Sequence, residues 1–406
     1  MTGQAPDPMT AIDLADPQTH IGDGAQPLFR RLRQENPVAW HPPRGPRRGF
    51  WAVTRYADVA AVCREAETFG STGGNVMETL LHSGDSAAGR MLAVSDGPRH
   101  AGVRRLLWQG LTPNKLAAVS ERIRDRSRAL VHQARLAGDC DFARDVAAHI
   151  PLQGICDLLG VPEADRPFIL EHTSSALSSE GKTDDAGAAR QAKGQLLLYF
   201  AKLAATRLGR APEGELPDLI TLLVNGEVQG ERLTLDEVVL NCYSLIMGGD
   251  ETARLTMIGG VLAMIEHPDQ WQAWRAGLPV GPAVQEILRW TTPAIHVGRT
   301  AMAPTTLAGQ VIDAGDAVVA WLNSANYDET EFDEPGRFDL SRTPNRHLSF
   351  LYGSHFCIGA HLAQVEIGSL FEALREEVTT LTPAGPAVPI YSSFLHGYSR
   401  LPVQLA

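Results

Sequence analysis

One cysteine in this chain stands where a thiol could do chemistry. The run Phe350-Leu351-Tyr352-Gly353-Ser354-His355-Phe356-Cys357-Ile358-Gly359 sets Cys357 among glycines, and Ala360-His361-Leu362-Ala363-Gln364-Val365-Glu366 continues with helical character. A thiol in apolar surroundings stays protonated and inert, whereas free N–H groups and the positive dipole end at a helix start favour the thiolate. Gly353 and Gly359 lack side chains, so the backbone there could lie flat against a large planar ligand. A thiolate presented in this way suits a soft metal or a haem iron, onto which it pushes electron density. Two plainer readings fit the same letters. Cys357 could be a small core residue. His355, Cys357 and His361 could hold zinc, although no second Cys or His pair stands at finger-like spacing.

Three other segments carry reactive side chains. In Asp96-Gly97-Pro98-Arg99-His100-Ala101-Gly102-Val103-Arg104-Arg105-Leu106, Asp and Pro open a helix on which His100 and Arg104 share a face. Taken alone, that is a solvated basic face. Leu235 to about Glu266 reads as one long helix, with Thr234 and Glu237 as a capping box and Pro268 beyond its end. At about 1.5 Å per residue it is a rod of roughly 45–50 Å, long enough to cross a domain. Its middle reads Ile246-Met247-Gly248-Gly249-Asp250-Glu251-Thr252-Ala253-Arg254. Each of the two glycines costs about 1 kcal/mol against alanine, so the helix needs space or a kink there. Close helix packing would account for Gly248-Gly249, and a solvent-turned polar pair for Glu251-Thr252. On the short helix Pro282-Ala283-Val284-Gln285-Glu286-Ile287-Leu288-Arg289-Trp290, Glu286 and Arg289 lie on one face. An isolated pair of this kind is ordinarily a weak surface ion pair.

In this order, the segments together resemble the cytochromes P450. The run Phe350 to Gly359 is similar to the family's haem-ligand loop (Phe, Gly, any, Gly, any, His or Arg, any, Cys, any, Gly), with Leu351 in place of the first glycine. Gly248 to Thr252 resembles the oxygen-binding helix (Ala or Gly, Gly, any, Asp or Glu, Thr), and Ala253 stands where many relatives carry a second threonine. Glu286 and Arg289, followed by Pro335-Gly336-Arg337-Phe338, resemble the family's ExxR and PxRF pair. Ser324-Ala325-Asn326-Tyr327-Asp328 resembles its Ala-Asn-Arg-Asp-Pro, with Tyr327 and Glu329 as departures.

The resemblance implies a mainly α fold with small β-sheets, a single domain over residues 1–406, its long central helix crossing over the haem. It implies a b-type haem (heme b) with Cys357 as iron ligand in a loop shaped by Phe350 and Gly359. His100, Arg104, Arg299 and His355 would hold the propionates. Glu251 as acid and Thr252 as hydroxyl would organise the water chain that delivers protons to bound O2. Glu286, Arg289 and Arg337 would form a buried structural triad behind the loop. Substrate would meet Ile246, Gly248, Gly249, Ala294, Ile295 and Val297, with Phe394 and Leu395 from a hairpin tip at Tyr391 to Gly397. His296 reads as a core or channel histidine. The implied activity is monooxygenation of a small molecule, free or carrier-protein-bound. Electrons would come from NAD(P)H through a ferredoxin reductase and a ferredoxin docking near Cys357, where Arg104, Arg105 and His361 offer positive charge. The chain resembles actinobacterial tailoring enzymes of secondary-metabolite and antibiotic biosynthesis, acting on peptides, polyketides or terpenoids. Sterols and fatty acids, oxidative coupling or cyclisation, and a non-catalytic haem-thiolate sensor remain open.

Composition bounds these expectations. A chain of 406 residues, 44% hydrophobic and 20% charged, can bury a sizeable core. A formal net charge of −11 excludes general affinity for nucleic acid. Cys63, Cys140, Cys156, Cys242 and Cys357 are scattered, odd in number and form no CxxC, which fits a reducing cytoplasm better than a disulfide framework. Met1 to His20 is polar with no apolar run, so no signal peptide or membrane anchor is expected, and these residues read as loosely ordered. A cytoplasmic monomer is expected.

The positioning elements follow in chain order. Gln26 to Gln34 reads as a helix, Pro37 to Trp40 and Phe50 to Arg55 as paired strands, and Tyr56 to Glu65 as a helix. Residues 70–94 read as a long irregular loop. Residues 114–275 are mostly helical, with breaks at Gly138, Gly160 and near Gly181; the stretch 177–190 reads as a surface loop or a lid. Gln310 to Ile312 and Asp316 to Trp321 read as strands.

Overall fold

The computed structural model describes residues 12–22, 24–82, 84–177, 186–209 and 217–406. Its axis is the helix Leu235–Glu266, 32 residues long. The capping box forms as expected. The Thr234 hydroxyl accepts from the Glu237 N–H at 3.3 Å, and the Glu237 carboxylate accepts from the Thr234 N–H at 2.8 Å. Val238, Cys242, Leu255, Ile258, Val261 and Met264 are buried around its circumference, as a helix enclosed on all sides requires. The helices Ile150–Leu159, Arg166–Leu177, Ala186–Ala205, Val280–Thr291 and Ala360–Glu377 pack against it.

The other side of the molecule is a five-stranded sheet, in the order Val38–His41, Phe50–Val53, Ala317–Trp321, His296–Ala301, Phe69–Gly70. The expected first pair is antiparallel, with Val38 opposite Val53. Ala317–Trp321 is buried at every position, the continuous apolar run of a strand covered on both faces. It sets the register of its neighbour, Trp321 opposite His296 and Val318 opposite Arg299. Val388–Pro389 and Tyr398–Arg400 pair as a hairpin. Its tip returns to the sheet, where the Ile295 N–H donates to the Phe394 carbonyl at 3.0 Å.

Three local expectations need amendment. Residues 70–94 are not wholly irregular: Met77–Leu81 is a short helix with Met77, Leu80 and Leu81 buried, too brief for its period to show in the sequence. Residues 12–20 are not loose. Leu14 is buried, and the His20 ring stacks on Trp321 at 5.1 Å. Residues 1–11 and 178–185 lie outside the described residues, and with them most of the stretch read as a loop or lid.

The Glu286–Arg289 pair is not a surface pair. Both side chains are fully buried, joined by two hydrogen bonds at 2.7 and 2.8 Å. The expected third member is wrong, however. The Arg337 side chain points outward to Glu334, and only its carbonyl meets Arg289, at 3.3 Å. Arg342, five residues on, donates to Glu286 at 3.1 Å, beside Asn345 at 2.9 Å and the Asp339 N–H at 3.0 Å. The turn closed by the Arg337 N–H on the Glu334 carbonyl leaves the Arg337 carbonyl inside and its side chain outside. Removing one partner of a buried ion pair is strongly destabilising, whereas an exposed pair contributes little. Arg342→Ala should therefore cost about 2–3 kcal/mol in denaturant unfolding and Arg337→Ala no more than about 0.5 kcal/mol; equal costs would refute the reassignment.

Candidate active site

Between the central helix and the Cys357 loop lies a cavity of about 320 Å³ with a mostly apolar lining. Gly248, Gly249 and Thr252 face it from one side, and Phe350, Cys357 and Gly359 from the other. Ala294, His296, Val297 and Phe394 close one edge, while His100, Arg104 and His355 stand at another.

The cysteine loop is pinned by its own backbone. The Cys357 N–H donates to the Phe350 carbonyl at 2.8 Å, and the helix Ala360–Glu377 follows at once. Cys357 is only half-buried because it opens on the cavity. Desolvation is the largest influence on its thiol and pushes the pKa up, against the opposing pull of the Gly359 N–H and Arg104. The helix start alone therefore does not make a thiolate; a cation at the sulfur would. The two glycines do different work. A side chain on Gly359 would meet only the Cys357 sulfur, at 4.0 Å, so that backbone is open to a flat ligand. Gly353 has φ +75°, and a Cβ there would lie 2.8 Å from the Cys63 carbonyl, so its role is a tight turn against the helix Tyr56–Arg64. Leu351, at the family's glycine position, also takes a positive φ, +60°.

The expected cations converge, and among the described residues neither Arg299 nor His100 has a carboxylate bonded to it. Arg299 is 1% exposed, and its one hydrogen bond among the described residues goes to the Gly298 carbonyl at 2.8 Å. His100 is buried with Nε2 unpartnered, its pKa lowered to about 4 chiefly by burial. Its ring lies 4.2 Å from that of His355, which is also lowered by burial but bonded to Asp96 at 3.1 Å. Arg104 reaches across to the Phe356 carbonyl at 2.6 Å. An enclosed guanidinium, and an orphaned ring nitrogen on the margin of a mostly apolar cavity, call for carboxylates carried by a bulky apolar group. The propionates of a haem fit that demand.

On the central helix, a Cβ on Gly248 would meet nothing, whereas one on Gly249 would meet Ile155 at 3.1 Å. The first glycine makes room and the second permits close packing, so both readings of the pair hold. The Thr252 hydroxyl donates to the Gly248 carbonyl at 2.8 Å and lines the cavity. Glu251 is buried and turned aside, ion-paired with Arg254.

Three expected substrate contacts are not on the cavity. Ile246 belongs to the helical core, because it lies on the flank of the helix away from Gly248 and Thr252. Ile295 packs into the core beside the sheet, because alternation sends it opposite to Ala294 and His296. Leu395 is buried outside the lining, its backbone bridged to Ala294. His296 does line the cavity; its Nε2 accepts from the Met77 N–H at 3.1 Å, and burial lowers its pKa to about 3, so it is neutral. Glu366 also lines the cavity, fully buried, with Oε1 unpartnered and its carboxyl raised well above the usual range by burial. Sequence reasoning passed over it as one more polar residue on a helix.

A family model described as Cytochrome P450 matches residues 280–389. Cytochrome P450 NovI of Streptomyces niveus is 42% identical over 402 residues, spanning 99% of this chain and 98% of that one. The chain belongs to the cytochrome P450 family. A steroid C26-monooxygenase of Mycolicibacterium smegmatis is 31% identical over 376 residues, 90% of this P450 and 87% of that chain. Among solved structures, P450 OxyD, involved in the biosynthesis of vancomycin-type antibiotics, superposes with a TM-score of 0.88 at 32% identity, covering 98% of this chain and 100% of that one. A Mycobacterium marinum P450 in complex with pseudoionone gives 0.89 at 32%, covering 100% of both. This P450 is thus a haem- and O2-dependent oxidoreductase with the expected mainly helical fold. No helix among its described residues is long and apolar enough to cross a membrane.

A left-handed backbone costs a non-glycine residue roughly 1–2 kcal/mol, while Leu351 recovers some of this by packing beside Leu348 and Cys63. Leu351→Ala loses the contact and keeps the strain; Leu351→Gly loses the contact and relieves it. The glycine variant should therefore be the more stable of the two by about 1 kcal/mol in thermal unfolding, the reverse of the usual order.

Proposed function

We propose that this P450 is a haem-thiolate monooxygenase that inserts one oxygen atom of O2 into a small organic substrate, by C–H hydroxylation or epoxidation, in the tailoring of a bacterial secondary metabolite. The observation that carries this reading is the cavity bounded by Cys357 on one side and Thr252 on the other, with His100, Arg104 and His355 at its margin. Cys357 would ligate the iron of haem b, and His100, Arg104, Arg299 and His355 would hold its propionates. Bound there, the haem would supply O2 binding and two-electron activation.

The chain's own residues supply the rest. Thr252 presents a hydroxyl at the cavity and Glu251 an acid one residue behind it; a water chain from one to the other would carry protons inward. Arg254 restrains that acid. Ala294, Val297 and Phe394 would orient an apolar substrate, with Gly248 leaving it room. A ferredoxin, reduced from NAD(P)H by its reductase, would dock outside the Cys357 loop, where Arg105 and His361 are exposed. Similarity to NovI and OxyD supports a tailoring role on a peptide, polyketide or terpenoid scaffold, free or on a carrier protein. A monomer in the cytoplasm is consistent with the acidic surface and scattered cysteines.

The carbon monoxide difference spectrum of the dithionite-reduced protein should show the far red-shifted Soret band of thiolate ligation, absent from Cys357→Ala; a band at the histidine-ligated position would overturn the proposal. With a substrate found by spin-state shift, Thr252→Ala should keep consuming O2 while product per reducing equivalent drops by about a hundredfold. Oxygen from labelled O2 should appear in the product. Unlabelled product would point to coupling or cyclisation instead.

A further inference from the structure

Asp250 is fully buried on the central helix, one residue before Glu251. Its Oδ2 accepts from the Thr173 hydroxyl at 2.9 Å, across to the helix Arg166–Leu177, and its Oδ1 has no hydrogen-bond partner. A buried carboxyl left half-satisfied is costly, and an apolar residue would remove the cost. Its compensation lies one turn along. Arg254 is four residues from Asp250 and three from Glu251, so its charge acts on both acids from the same stretch of helix while its ion pair goes to Glu251. Arg254 is ion-paired with Glu251; burial works against its charge, and the two acids together outweigh that burial.

Burial, the largest influence, pushes the Asp250 carboxyl up to about 7, the Arg254 charge and the Thr173 hydrogen bond acting against it and the Glu251 charge with it. Burial favours the neutral form of the other titratable groups facing it. The Cys156 thiol of the helix Ile150–Leu159 is pushed up to about 12, and the Glu366 carboxyl of Ala360–Glu377 is raised well above its usual range. The helix Arg166–Leu177 contributes the Thr173 hydroxyl.

We propose that Asp250 is a positioning residue for proton delivery: held to the helix Arg166–Leu177 by Thr173, its charge competes with that of Glu251 for Arg254. It rests on the reading of Glu251 and Thr252 given above. With Asp250 ionised, the guanidinium is divided between two carboxylates and Glu251 is held loosely. With Asp250 protonated, Arg254 faces Glu251 alone and holds it back from the cavity.

The test uses the purified holoenzyme and two variants. Asp250→Asn keeps an acceptor for Thr173 but cannot ionise; Thr173→Val removes the hydrogen bond that favours the anion. In infrared difference titration, the wild type should show a protonated-carboxyl band disappearing with a midpoint of about 7. That band should be missing in Asp250→Asn and move to higher pH in Thr173→Val. Oxygen consumption with a surrogate ferredoxin should rise with pH through the same midpoint in the wild type. In Asp250→Asn it should stay flat at the low-pH level. An inflection that survives in Asp250→Asn, or an infrared titration unchanged by either substitution, overturns the proposal. The infrared arm needs no substrate and no turnover, so its failure is separable from failure of the monooxygenase reading, which the Cys357→Ala spectrum reports.

Discussion

Everything around the cysteine depends on one buried cation. Arg289 has no contact with solvent and satisfies its guanidinium with the Glu286 carboxylate and three backbone carbonyls, those of Asn326, Pro335 and Arg337. A charge at that depth must be met completely, because each missing acceptor would leave a desolvated N–H. Residues 326–345 therefore have one workable path, although they contain almost no regular secondary structure. Asn326 extends the constraint: its side chain holds the Leu348 N–H at 2.7 Å and the Ser349 hydroxyl at 3.0 Å. The cysteine loop begins at the next residue, Phe350. An irregular segment is made rigid by hydrogen bonds to a core helix, and the loop takes its position from that segment.

The opposite wall obeys a different rule. The central helix is buried over most of its length, so its direction is fixed by hydrophobic packing on several sides. Gly248 and Gly249 then act in opposite senses on neighbouring positions, one leaving open space and the other admitting Ile155. The cavity is the gap between a wall set by apolar packing and a wall set by polar satisfaction.

Legibility in the sequence followed the same division. The central helix, its capping box and its end at Glu266 could be read because period, caps and proline are local signals. The cysteine loop and the Glu286–Arg289 pair were legible through motif spacing. Arg342 was not, since two arginines five residues apart look alike in a string and only the turn between Glu334 and Arg337 decides which one enters. Ile246, Ile295 and Leu395 were expected at the cavity from the family resemblance, and side-chain direction put them elsewhere. The left-handed backbone at Leu351 was invisible because leucine gives no sign of it. Asp250 and Arg254 were given no role, because nothing in one dimension shows that Asp250 and Glu251 are both enclosed.

Arg299 carries a consequence for how the protein matures. An enclosed guanidinium with no carboxylate bonded to it among the described residues is a standing penalty on the folded chain, and any anion that meets it repays that penalty only in the folded form. Folding and prosthetic-group capture are then linked equilibria, and occupancy stabilises the native state by RT ln(1 + [L]/Kd). A cell short of the group would hold this polypeptide closer to its unfolding threshold and expose it to proteolysis. Abundance in vivo would thus track iron and porphyrin supply as well as transcription.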